Sequence, residues 1–98
     1  MRLYKATEWQ SGRNWYVGDC SDLGKDSNAW WIPPRFLGIS LEDWIIKLQE
    51  EHHATIDGFY PKSNNRKSLL LYHWDNYNDA HKFCLYLNRM ARNHNWTI

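Results

Sequence analysis

Residues 68–93, SLLLYHWDNYNDAHKFCLYLNRMARN, contain the change of period that decides the fold. Residues 68–74 are a leucine-, tyrosine- and tryptophan-rich run of strand character. From Asp75 onward the apolar residues recur as Ala80, Phe83, Cys84, Leu87 and Ala91, which is the spacing of one face of an α-helix. Asp75 or Asn76 can cap its start, because a short polar side chain there accepts from an otherwise unpaired backbone N–H. Asp79 suits the positive helix end and Arg89, Arg92 and His94 the negative one, so the helix is expected to stop near Asn93.

Working outward, the same strand-then-helix grammar recurs. Thr55 to Tyr60 is β-prone, and residues 61–67 (PKSNNRK) favour turns and water, which predicts a hairpin with residues 68–74. Further upstream, Ser40 precedes Leu41, Trp44, Ile45 and Leu48 on one helical face, with Asp43 placed as in a capping box and Glu51, His52 and His53 ending the element. At the amino terminus residues 2–9 and Asn14 to Gly18 flank Gln10-Ser11-Gly12-Arg13, a second hairpin signal. Residues 21–28 are polar and turn-rich, and Ala29-Trp30-Trp31-Ile32 is halted by Pro33-Pro34. The expected architecture is a single α+β domain over residues 1–98 in the order ββαββα. Its two β-hairpins are expected to form one antiparallel sheet, with two amphipathic helices packed on one face.

Composition narrows the function. Twelve Lys and Arg against eleven Asp and Glu leave a net charge of +1, which excludes both a dedicated phosphate-backbone binder and an acidic nucleic-acid mimic. Seven Trp, six Tyr and three Phe supply enough apolar surface to offset ordering entropy, so an ordered domain is expected. No apolar run approaches the ~20 residues that span a bilayer. With no secretory leader in view, Cys20 and Cys84 read as free thiols of a reducing compartment, and a cytoplasmic protein without membrane association is expected.

Catalytic and metal-binding signals are weak. His73 and Asp75 point the same way on a strand, and Asp79 or His81 from the next turn would complete a divalent-cation site; alternatively Asp75, Asn76 and Asp79 simply organise a helix start. The pair His52-His53 cannot chelate from one helical face, and reads as imidazolium favoured by the helix carboxyl end. Cys84 belongs to an apolar stripe, where a thiol is inert, and Cys20 is flanked by Asp19 and Asp22, which disfavour the thiolate. Glycine-rich phosphate loops and a GxSxG elbow are absent. Glu42-Asp43 and Glu50-Glu51 read as solvated charge, and Asn95-Trp96-Thr97 as a chance sequon. No enzyme activity, metal or cofactor is expected, with a site on His73, Asp75 and His81 as the remaining catalytic possibility.

Two binding readings remain. Residues 1–60 carry a net −3 and residues 61–98 a net +4. On the last helix Lys82, Tyr86, Arg89 and Asn93 line up with Arg92 nearby, and loop residues Lys62, Arg66 and Lys67 extend a basic surface on which nucleic-acid phosphates and bases could rest. The leading reading is instead a protein partner. The run Trp30, Trp31, Ile32, Pro33, Pro34, Arg35 and Phe36 offers large contact area at low entropy cost, unless it crosses the open end of the core and seals it. The expectation is a non-catalytic regulator or inhibitor, of the type carried by phages and mobile elements, with nucleic-acid binding as the alternative.

Overall fold

The structure is a computed structural model that describes residues 2–19, 36–60 and 69–97. Its elements are β1 (Thr7–Ser11), β2 (Asn14–Gly18), α1 (Leu41–Glu50), β3 (Thr55–Tyr60), β4 (Leu69–His73) and α2 (Tyr77–His94), in the expected ββαββα order. Both helix starts follow the capping logic. The Ser40 side chain accepts from the Asp43 N–H at 3.1 Å, and Asn76 rather than Asp75 is the cap of α2, accepting from the Asp79 N–H at 2.9 Å. At the far end of α2, Asn95 adopts a left-handed backbone (φ 52°), and the Trp96 N–H turns back to the Ala91 carbonyl at 3.0 Å.

In the first hairpin Trp9 faces Tyr16 and Gln10 faces Trp15 across an antiparallel ladder closed by Gly12-Arg13. Positive φ occurs at Gly12 (62°) and not at Arg13, the pattern of a type II′ turn, in which glycine takes the first central position. The second hairpin pairs Ile56 with Tyr72 and Gly58 with Leu71, leaving Asp57 as the extra residue of a β-bulge.

The expected single sheet is corrected to two two-stranded sheets, β1-β2 and β3-β4. They meet at one antiparallel bridge, where the Trp15 and Trp74 backbones exchange two hydrogen bonds of 2.8 Å. Part of the physical reason lies in chain direction: one residue beyond Trp74 the chain turns towards the Asn76 cap, so the ladder cannot lengthen past Trp74. Helix α2 packs against β1 and β2, and α1 against β3.

The shared core draws Trp44 and Leu48 from α1, Leu70, Tyr72 and Trp74 from the second hairpin, Val17 from the first, and Ala80, Phe83, Cys84, Leu87 and Ala91 from α2. Each large side chain so buried contributes on the order of 1.5–3 kcal/mol. The Trp74 indole also donates to the His52 carbonyl at 2.7 Å, which joins the second hairpin to the end of α1. Trp96, two residues past the end of α2, is only 3% exposed and packs edge-on against Tyr4. The amino-terminal segment is tied down beside it: Asn88 accepts from the Ala6 N–H at 2.7 Å and donates to the Ala6 carbonyl at 2.9 Å, while Arg2 forks onto buried Asp19.

Candidate functional site

Trp30, Trp31, Ile32 and Arg35 lie outside the described residues, as do Lys62, Arg66, Lys67 and Cys20. Phe36 is described and half-buried. Its ring stacks on Trp96 at 5.0 Å and 10° and meets Tyr4 edge-on at 6.4 Å, so the carboxyl end of the Trp30-to-Phe36 run is moored to the core. Lys82, Arg89 and Arg92 are exposed along the outer side of α2, and no ion pair engages them among the described residues. Tyr86 does not stand with them: its ring packs on Phe83 and His52, and the Lys47 ammonium sits 5.8 Å above it.

An aromatic seam forms where the first hairpin meets α2. Tyr77, the first residue of α2, is 43% exposed and meets Trp15 edge-on at 5.1 Å. One turn later His81 stacks on Tyr77 at 5.2 Å and 19°. Glu8 on β1 reaches both, with its carboxylate 3.2 Å from His81 Nδ1 and 3.5 Å from the Tyr77 hydroxyl. The cluster is sequence-distant and polar at its rim. It holds one exposed tyrosine in a fixed orientation, the property of a preorganised contact residue.

A second cluster centres on His73, which is 8% exposed. Nδ1 lies 2.8 Å from the Asp57 carboxylate and Nε2 lies 3.0 Å from that of Asp75. Burial opposes the imidazolium, but the bonds and charges of Asp57 and Asp75 outweigh it and raise the pKa above the ordinary histidine value. The bulge at Asp57 aims this carboxylate. The suggested gathering of His73, Asp75, Asp79 and His81 is not what the fold makes: Asp79 is occupied by Asn76 at 3.0 Å, and His81 by Glu8. Among the described residues no group of three or more His, Cys, Asp or Glu is placed to hold a metal ion. His52 departs from its expected role as well. Its ring is wedged between Phe83 and Tyr86 at 4.7 Å from each, and burial, helped by the Lys47 charge, lowers its pKa to about 4, so it is neutral near pH 7 rather than an imidazolium at the helix end. Cys84 is buried, as its stripe implied.

Asp57 and Glu8 were missed from sequence. Asp57 had a legible signal, an isolated glycine beside it within a strand run, which marks a bulge. Glu8 had none, because its partners lie 69 and 73 residues away in the chain. Comparison with protein-family models, curated proteins and solved structures finds no match to this chain. No helix among the described residues is long and apolar enough to cross a membrane.

Proposed function

We propose that the chain is a single-domain, non-catalytic interaction protein, a small regulator or inhibitor that docks on another protein. The observation that carries this reading is the seam of Tyr77, Trp15 and His81. An exposed tyrosine already locked by two rings loses little freedom on binding, and tyrosine and tryptophan dominate interface hot spots. The run from Trp30 to Arg35 belongs to the same reading as a second aromatic contact, moored at Phe36. Tyr77 at the start of α2 is 43% exposed, which leaves the seam accessible to a partner. Nucleic-acid binding through Lys82, Arg89 and Arg92 is the less favoured alternative, since half-buried Tyr86 already packs on Phe83 and His52 with Lys47 above it.

An affinity capture from the native host, read by mass spectrometry with and without nuclease, tests the reading. One protein recovered in both samples is the expected result, and Tyr77→Ala or Trp31→Ala should weaken its binding about tenfold or more, the loss typical of a hot-spot side chain. Capture that disappears on nuclease treatment, or a partner whose affinity ignores both substitutions, overturns it.

A further inference from the structure

Helices α1 and α2 each present an outer face built on one plan with opposite charge. On α1, Glu42, Ile46 and Glu50 follow at i, i+4 and i+8 with Asp43 beside them, all exposed. On α2, Lys82, Leu85 and Arg89 follow at i, i+3 and i+7 with Arg92 beyond, again all exposed. Ile46 is 51% exposed and Leu85 is 54% exposed, the two highest values among the exposed large apolar residues described. Each is therefore a lone apolar knob between like charges. Neither set of charges enters an ion pair among the described residues, whereas Lys47 and Glu51, on the flank of α1, satisfy each other at 2.6 Å.

The geometry points to a second copy of this chain as the occupant, with α1 of one copy lying on α2 of the next. Glu42 and Glu50 are about 12 Å apart along the helix axis and Lys82 and Arg89 about 10 Å, at 1.5 Å rise per residue, so both carboxylates meet both cations when Ile46 faces Leu85. The match holds for parallel or antiparallel helices, because each knob has charge on both sides. Close helix packing brings axes to about 8–10 Å, near enough for the two knobs to touch. A nucleic acid would satisfy the cations alone and leave Leu85 against phosphate, and an acidic ligand of any kind leaves the α1 face unexplained. The inference does not rest on the aromatic seam, although His81 lies one turn before Leu85 on the same helix.

Surface ion pairs and one apolar contact make a weak, salt-sensitive association, so the test is sedimentation equilibrium of the intact chain up to millimolar concentration. The weight-average mass should rise with concentration at low salt. Association should weaken at least tenfold when ionic strength goes from about 0.01 to about 1 M, which shortens the Debye length from about 30 to about 3 Å. The double variants Glu42→Lys/Glu50→Lys and Lys82→Glu/Arg89→Glu should each be monomeric alone. Their equimolar mixture should associate to within about threefold of the parent, because the reversed faces are again complementary. Leu85→Ser, at an exposed position with little folding risk, should weaken self-association several-fold and serves if the charge reversals do not fold. A parent that stays monomeric at millimolar concentration overturns the proposal, as does a mixture of folded variants that fails to associate. So does a labelled oligonucleotide that binds the parent and the acidic-face variant equally while the parent shows no self-association, which would assign the α2 face to nucleic acid.

Discussion

His52 and His73 prefer opposite protonation states, for physical reasons their sequence neighbourhoods do not announce. His52 is desolvated between Phe83 and Tyr86, and its pKa falls to about 4, whereas an unfolded histidine titrates near about 6.5. Below that unfolded value the unfolded chain takes up a proton that the folded one refuses, so the His52 contribution is lost as pH falls from about 6.5 towards 4. His73 runs the other way. Its raised folded pKa makes the contribution of the Asp57 and Asp75 bonds complete below the unfolded value and lost as pH rises through the folded one. A urea-midpoint profile against pH should therefore peak near neutrality on the acid side, His52→Leu flattening its acid limb and His73→Gln its alkaline limb. Asn88 offers a charge-free test at the same scale. Its side chain completes both polar groups of the Ala6 backbone, so Asn88→Ala should destabilise by roughly 1–3 kcal/mol in equilibrium denaturation through the unpaired groups it leaves.

Elements were the most legible level. Both helices follow from apolar spacing and a polar cap, and their observed bounds lie within a residue or two of the expected ones because these signals are local. The hairpins were legible too, although the first strand begins at Thr7 rather than Arg2. Residues 2–6 carry β-prone side chains, but their backbone bonds go elsewhere: Tyr4 donates to the Trp96 carbonyl at 2.7 Å and Ala6 is held by Asn88. Gly12 states the turn requirement at its simplest. No atom beyond its chain neighbours lies within 4 Å of where a Cβ would stand, so Gly12→Ala tests backbone strain alone and should cost about 1 kcal/mol through the positive φ. Ser40→Ala should cost α1 about 1 kcal/mol by removing its cap, read as a lowered melting temperature.

At the scale of the whole molecule, Trp74 ties the parts together. Its backbone makes the bridge to β2, its indole reaches the His52 carbonyl, and its ring packs on Tyr72 and Phe83 at 5.6 and 4.8 Å. Trp74→Ala should cost about 3–5 kcal/mol, and far-ultraviolet circular dichroism and the fluorescence of the remaining tryptophans should shift to lower denaturant together, since the ring joins parts of one shared core. Residue order and period, by themselves, determined that this chain makes two hairpins and two amphipathic helices in the order ββαββα, and which stripes those helices bury. They did so because capping, turn chemistry and side-chain spacing act over a few residues. Tertiary structure alone decided that the hairpins join at a single bridge rather than a continuous sheet. It also decided that Trp96 is enclosed, that Tyr86 is turned inward under Lys47, and that Glu8 meets Tyr77 and His81. Each of these depends on where segments distant in the chain come to rest, and no local preference encodes that placement.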